Sequence, residues 1–298
     1  MPYACIDIGS NTTRLLVADV EDGQLRELMA QRAFTKIGRS LGKKGKIPRK
    51  KMDETAEVVS RQARLARELG ANEIVIVATA AIRDAPNRGD LTALLEERAG
   101  EEVKVLSGKE EARLSFVGAT KTLGAPVEGQ VSVVDVGGGS TEIVVGTVAG
   151  GAEWSESFRI GSGFLADAYL GSDPPSVAEL HAVRQHVAGV FEGLDVPPSV
   201  RGVAVGGSAT SLRRLVGAVL EHETLERAVR LLSTTSCEDL AARFELDPER
   251  VRVLPAGILV LEEISDRMGM PLQIGKGGLR EGVILECIGD GSAVGQGS

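Results

Sequence analysis

Asp7-Ile8-Gly9-Ser10-Asn11-Thr12-Thr13-Arg14-Leu15-Leu16-Val17 realigns without a gap on Asp135-Val136-Gly137-Gly138-Gly139-Ser140-Thr141-Glu142-Ile143-Val144-Val145. An apolar run precedes each copy, Tyr3-Ala4-Cys5-Ile6 in the first and Val131-Ser132-Val133-Val134 in the second, and another follows. Each copy therefore predicts a strand, a tight turn and a strand. Glycines and small hydroxyl residues let such a turn fold closely and aim successive N–H groups into one concavity, which attracts an anion. An aspartate ending the first strand would repel a phosphate directly. Asp7 and Asp135 are therefore expected to hold a metal ion or an ordered water against the captured anion. One such turn alone could be an ordinary hairpin, but two in register predict two related lobes.

Length and composition suit two lobes. The chain has 298 residues, beyond the size at which single cores stop growing, and 43% of them are hydrophobic. Aromatic residues make up only 3%, so the interior is expected to be aliphatic, as in buried sheets of mostly parallel strands. Cys5, Cys237 and Cys287 lie far apart and form no C-x-x-C pair, which predicts neither a disulfide framework nor a zinc knuckle and suits a reducing cytoplasm. No basic-then-apolar leader opens the chain and no apolar run is long enough for a bilayer, so secretion and membrane insertion are not expected. The net charge is −8, yet nine basic residues (Arg32, Lys36, Arg39, Lys43, Lys44, Lys46, Arg49, Lys50 and Lys51) follow one another with no acidic residue between them. Such a segment on an acidic body predicts a site that guides a polyanion, with Lys43, Lys44 and Lys46 at its centre. Nucleic acid is not expected, because the segment lacks interleaved aromatics for base stacking.

The pattern between the two copies alternates strand and helix, which predicts parallel-type sheets. Gln24 to Phe34 reads as a third strand, and the basic segment reads as a loop with Gly38, Gly42, Gly45 and Pro48. A helix over Asp53 to Leu69, a strand over Ile74 to Ala78, a loop at Arg83-Asp84-Ala85-Pro86-Asn87, a helix near Leu91 to Arg98 and a strand over Val103 to Leu106 follow. Ser107 reads as the N-cap of the next helix, with Glu110 in the capping-box position. After Val131 the order replays, and Arg201 to Val205 is a strand running into Gly206-Gly207-Ser208, a glycine turn at a helix start. Helices are expected over Val177 to Val190, Cys237 to Phe244, Ala256 to Met268 and Leu279 to Cys287, and residues 289–298 are expected to be a disordered tail. His181, His186 and His222 form no metal-binding spacing and are expected at the surface. Neither a G-x-S-x-G elbow nor a P-loop lysine motif occurs.

Six stretches in order, Asp7-Ile8-Gly9-Ser10-Asn11, Thr79 to Asn87, Ser107-Gly108-Lys109-Glu110-Glu111-Ala112-Arg113, Asp135 to Glu142, Gly206-Gly207-Ser208 and Gly278-Leu279-Arg280-Glu281-Gly282, carry a resemblance. The chain resembles, over nearly its whole length, the exopolyphosphatase and guanosine pentaphosphate phosphohydrolase (Ppx/GppA) family, within the actin, sugar-kinase and Hsp70 fold superfamily. The resemblance implies an α/β fold of two actin-like (ribonuclease H-like) lobes, each a mixed sheet with flanking helices, with the active site in the interlobe cleft. The lobes are expected at residues 1–124 and 125–298. It implies a magnesium-dependent phosphohydrolase, with manganese as a substitute, acting on the terminal phosphoanhydride of inorganic polyphosphate. Guanosine pentaphosphate is the alternative substrate, and a cytoplasmic homodimer is the expected assembly. Two other classes stay open: an ATP-dependent kinase, and a nonenzymatic sensor of alarmone or polyphosphate.

Residue by residue, the resemblance implies Glu111 as the general base that deprotonates the attacking water, a role for which a carboxylate is suited. Glu110 is the neighbour most easily confused with it, and adjacent helical residues point about 100° apart, so only one can face a site. Arg83 is implied as the contact to the terminal phosphate; a loop arginine paired with Asp84 is the plainer alternative. Asp7, Asp135 and Glu142 are implied as metal ligands. Ser10, Asn11, Thr12, Gly137, Gly138, Gly139, Ser140, Gly206 and Gly207 are implied as phosphate-binding, and Arg280 with Glu281 as a tie between the lobes. The chain departs from the family at Asn11-Thr12-Thr13 and Ser208. It also departs at Ile160-Gly161-Ser162-Gly163-Phe164, where relatives carry an arginine shortly after the glycine, so a substrate contact is expected to be missing or replaced there. The Gly161-x-Gly163 spacing brushes the dinucleotide pattern without, on the sequence, its strand-to-helix setting. The helical domain that longer relatives append is absent from this sequence, which implies a weaker grip on long polymers.

Overall fold

The computed structural model describes residues 1–21 and 24–294, with residues 42–43 and 290–294 described by backbone alone. The chain runs β1 (Tyr3–Ile8), β2 (Thr13–Glu21), β3 (Gln24–Ala33), α1 (Ile37–Lys44), α2 (Arg49–Glu68), β4 (Glu73–Ala78), α3 (Ala80–Arg83), α4 (Arg88–Ala99), β5 (Val103–Val105) and α5 (Gly108–Lys121). It continues through β6 (Gln130–Val136), β7 (Thr141–Thr147), β8 (Gly151–Phe158), α6 (Ser162–Tyr169), α7 (Val177–Val190), β9 (Arg201–Val205), α8 (Gly206–Val216), β10 (Val219–Leu220) and α9 (His222–Thr234). It ends with α10 (Cys237–Phe244), α11 (Pro248–Met268), β11 (Leu272–Ile274) and α12 (Leu279–Val294).

Two mixed sheets result, ordered β3-β2-β1-β4-β5 and β8-β7-β6-β9-β11-β10. In each, the first three strands of the unit pair antiparallel in sequence, and two later strands add in parallel beyond the first. The second sheet thus repeats the first and adds the antiparallel edge strand β10. These are the two α/β lobes, each a mixed sheet with flanking helices, that the repeat predicts.

Residues 1–124 with α12 make one compact unit and residues 125–276 the other. Side chains in the first sheet divide between its faces with the period of two that a pleated strand imposes. Ala4, Ile6 and Ile8 pack with Met52, Val59 and Ala63 of α2 and Leu91 and Leu95 of α4. Cys5, Val75 and Val77 pack with Leu114 of α5 and Leu279, Val283 and Ile284 of α12. Helices α5 and α12 meet backbone to backbone, for a Cβ on Gly118 would overlap the carbonyl of Gly278, and an Arg113–Glu286 ion pair of 2.7 Å flanks the contact. The second unit is organised on α11, whose Val251, Leu254, Ile258, Leu261 and Ile264 are buried among α6, α7, α8, α9 and α10.

Several expectations need correction. The basic segment is not a loop: Ile37 buries fully, Gly45 closes α1 with a left-handed cap donating to Leu41 O, and Pro48 opens α2 four residues earlier than expected. The glycines at 38 and 42 read as breakers, but packing of Ile37 and Leu41 outweighs their weak propensity. Arg83 ends a short helix rather than sitting in a loop. Helix α11 begins at Pro248 and runs through Pro255, because a helix buried on nearly every side is held by tertiary contacts. The last segment belongs with the first unit rather than with 125–276, and α12 continues to Val294, so 289–294 is helical; 295–298 lie outside the described residues.

Candidate functional site

The two hairpins share one geometry. Gly9 N–H donates to Thr12 O and Gly137 N–H to Ser140 O, each at 3.0 Å. Asp7 faces Arg14 across β1 and β2, and Asp135 faces Glu142 across β6 and β7. Behind each turn stands the start of a helix that follows the third strand of its unit. Gly38 N–H donates to Ser10 O at 2.8 Å and Lys36 N–H to Asn11 O at 3.0 Å; Ser162 N–H donates to Gly137 O and Phe164 N–H to Gly138 O, each at 2.9 Å. Thr13 and Thr35 share a hydroxyl hydrogen bond of 3.0 Å, and Thr141 Oγ1 donates to Ile160 O at 2.6 Å. The duplication therefore extends into segments that show no likeness in sequence.

These bonds orient the turns. A trans peptide points its N–H opposite to its C=O. With the carbonyls of Ser10, Asn11, Gly137 and Gly138 tied to the helix starts, the N–H groups of Asn11, Thr12, Gly138 and Gly139 point the other way. That outward array is what a phosphate oxygen needs. Ser10, Asn11 and Gly137 to Gly139 remain partly exposed, whereas Thr12 and Ser140 are buried and Thr12 Oγ1 accepts from Arg14 Nε at 3.2 Å. Thr12 and Ser140 thus shape the turns from inside.

Residues 161–164 pack behind the second turn. Residues 159–161 join β8 to α6, Gly163 lies in the first turn of α6, and Gly161 and Gly163 both press on the second hairpin turn. A Cβ on Gly161 would lie 2.5 Å from Gly139 N, 2.6 Å from Gly138 C and 2.8 Å from Gly137 O. Gly206, with φ +85, opens α8, and a Cβ there would overlap Asp135 Oδ1, so the third glycine turn makes room for that carboxylate. Gly207 is buried, and Ser208 is fully buried under Gly257 of α11, so its hydroxyl faces the interior. Glu142 is 1% exposed and its Oε1 accepts from Ser157 Oγ at 2.9 Å.

In the first unit α5 settles which glutamate faces inward. Ser107 accepts from Glu110 N–H, and Glu110 Oε2 accepts in return from Ser107 N–H at 2.9 Å and its hydroxyl at 2.6 Å. Those bonds, the hydroxyl's first, pull the Glu110 carboxyl below its ordinary value. Glu110 is consumed by the cap, and Glu111, 7% exposed, turns inward to Arg83 Nη1 at 2.8 Å. The same nitrogen donates to Leu106 O at 2.9 Å, while Nη2 makes no bond among the described residues. Arg83 is therefore paired with Glu111 rather than with Asp84. Asn87 of the same motif grips the α1–α2 connection, donating to Ile47 O at 2.9 Å and accepting from Ile47 N–H at 3.0 Å. Lys44 and Lys46 are exposed on either side of Gly45; the side chain of Lys43 lies outside the described residues. Arg280 donates to Leu15 O at 3.2 Å, and Glu281 accepts from Gly278 N–H at 2.8 Å, so both bond within the first unit.

The cysteine thiols are shifted away from the thiolate form. Burial pushes Cys5 well above its usual value, Cys237 to about 12 and Cys287 to about 11. Among the described residues no three His, Cys, Asp or Glu side chains converge as a protein-only metal cage. His181 and His222 are exposed, and His186 shares a 3.0 Å bond with the Tyr169 hydroxyl. No helix among the described residues is long and apolar enough to cross a membrane.

Comparison with known proteins places the chain in a family. The sequence model of the Ppx/GppA phosphatase family matches residues 16–290. Exopolyphosphatase 1 of Mycobacterium tuberculosis and of Mycobacterium bovis are each 29% identical to the chain, over 99% of it and 91% of the relative. A crystal structure of the Aquifex aeolicus Ppx/GppA family member is 27% identical, covers 97% of both chains and superposes with a TM-score of 0.80. An exopolyphosphatase structure from Cytophaga hutchinsonii, 20% identical over 97% of this chain and 98% of its own, shares the fold with a TM-score of 0.86. With a family match over most of its length, the chain belongs to the Ppx/GppA phosphatase family, whose members are phosphoanhydride hydrolases.

Proposed function

We propose that the chain is a magnesium-dependent exopolyphosphatase that removes the terminal phosphate of inorganic polyphosphate as orthophosphate. The observation that carries the reading is the buried Glu111 carboxylate held at 2.8 Å by Arg83. A water beside Glu111 would lose its proton to the carboxylate as its oxygen attacks the terminal phosphorus, and the P–O bond to the shortened chain breaks. Arg83, anchored on Leu106 O, would offer Nη2 to an oxygen of that phosphate and stabilise the charge that builds on it. The N–H groups of the 9–12 and 137–140 turns would hold phosphates as fixed dipoles. Gly206 and Gly207 would add the start of α8.

The carboxylates fit magnesium. Asp135 and Glu142 are cross-strand neighbours, and Gly206 leaves clear the space that Asp135 Oδ1 enters. Magnesium commonly takes one or two carboxylates and completes its shell with water and substrate phosphates, so a pair without a third ligand suits it. Asp7, at the matching position of the first hairpin, is proposed to hold an ion or its water in the same way. When bound, the ion supplies neutralisation of phosphoanhydride oxygens.

Guanosine pentaphosphate presents the same terminal phosphoanhydride, so the test compares the two substrates. Phosphate release is measured on long polyphosphate, short polyphosphate and guanosine pentaphosphate with magnesium, for the wild type and Glu111→Gln. The expected outcome is release from polyphosphate that Glu111→Gln abolishes while binding persists. Retained release in that variant would overturn the assignment of the base, and release from the nucleotide alone would overturn the substrate.

A further inference from the structure

Lys36 adopts φ 50 and ψ 41, a left-handed backbone that side chains other than glycine's rarely take. Glu245 also has positive φ, but it ends α10, where left-handed residues are common. Lys36 instead precedes α1, where a capping residue is ordinarily extended. Helix termination therefore does not explain it. The first turn does, since in this conformation Lys36 N–H reaches Asn11 O and Gly38 N–H reaches Ser10 O. In the second unit the residue preceding α6 is Gly161, in extended backbone with φ −148, and the carbonyls of Gly137 and Gly138 are met without any left-handed residue. Glycine or asparagine would adopt the Lys36 conformation at less cost. The chain carries a strained lysine there, partly buried, directly against a turn whose N–H groups face outward.

We infer that Lys36 is a substrate contact, its ammonium binding a phosphate oxygen beside the 9–12 turn, and that the backbone strain is tolerated for that charge. Strained residues concentrate where function over-determines them, and a lysine ammonium is a compact partner for phosphate. The inference rests on the hydrolase reading above. It differs from the guiding role of Lys44 and Lys46, which lie at the far end of α1.

The test removes the charge and relieves the strain together. In a Glu111→Gln parent, which blocks turnover, Lys36→Gly and Lys36→Asn are titrated with tripolyphosphate by calorimetry and melted without ligand. Both variants are expected to keep or raise the melting temperature and to bind tripolyphosphate about tenfold more weakly, while Lys36→Arg retains affinity. Unchanged affinity overturns the inference. So does a loss shared by Lys36→Arg, or one accompanied by a lower melting temperature, since either marks a structural role. A parent that binds no tripolyphosphate overturns the proposed function itself, which separates that failure from this one.

Discussion

Replacing Gly161 by alanine drives a methyl group into the backbone of the second turn. The nearest atom, Gly139 N, would stand at 2.5 Å where ordinary contact begins at 3.4 Å, so the turn has to retreat by about 0.9 Å. No flexible side chain can absorb the shift, because all three neighbours are main-chain atoms of Gly137, Gly138 and Gly139. Overpacking of this kind costs ~1–3 kcal/mol, and at ~2–4 °C per kcal/mol the melting temperature should fall by several degrees. A misplacement near 1 Å in a group that positions substrate costs on the order of 100-fold in rate. The assay pairs thermal unfolding with steady-state phosphate release from polyphosphate. Gly189→Ala is the control: it lies in α7 with nothing within 4 Å of the added Cβ, and alanine there should gain ~0.5–1 kcal/mol from helix propensity. A Gly161→Ala protein with the wild-type kcat would refute the claim that this turn holds phosphate.

Other expectations concern stability, acid and charge. Gln62 on α2 is 1% exposed and neither of its amide atoms has a partner among the described residues, so the nearly isosteric Gln62→Met should stabilise by ~1 kcal/mol; a lower melting temperature would show instead that the amide is bonded, through a buried water for example. The Glu179 carboxyl is held at about 2, first by the Ser172 hydroxyl and then by the N–H groups of Ser176 and Gly171. Its folded value lies below the ordinary 4.5, so its contribution is complete above that pH and is lost as pH falls toward 2. Urea midpoints should accordingly drop more between pH 5 and pH 3 in the wild type than in Glu179→Gln, and equal drops would refute the link. Charge reversal at Lys44 and Lys46 should raise KM for long polyphosphate more than for tripolyphosphate, by roughly threefold at low salt and less at high salt; equal effects on both lengths would remove their guiding role.

What the sequence discloses and what it hides follow from the range of the interactions involved. The paired hairpins were legible because strand and turn residues bond to each other within a few positions, as were the Ser107 cap and the start of α8. The inward turn of Glu111 could also be argued locally, since the cap on Ser107 consumes Glu110. The Arg83–Glu111 pair could not, as it depends on how α3 and α5 close on each other. Nor could the support behind each turn: Thr35 with Thr13, and Gly161 with Gly138, meet only after a third strand has returned the chain. Gly161 and Gly163 were the signal available, and they mark the space into which a neighbouring backbone fits. The helix at the basic segment was masked by its glycines, and α11 by Pro255, because burial of one face outweighs local propensity at both places.

The placement of α12 bears on the order in which the protein can form during synthesis. Residues 125–276 are continuous and can complete their core once they have left the ribosome, before α12 exists. The first unit cannot: the face bearing Cys5, Val75 and Val77 has no cover until Leu279, Val283 and Ile284 emerge, and Leu15 waits on Arg280. Domains commonly mature from the N-terminus onward. Here the later segment should resist protease first, with the earlier one still open, and nascent chains arrested before and after residue 290 would differ in cleavage only within the first unit. The first unit is finished by α12, so Glu111 on α5 gains its final support last.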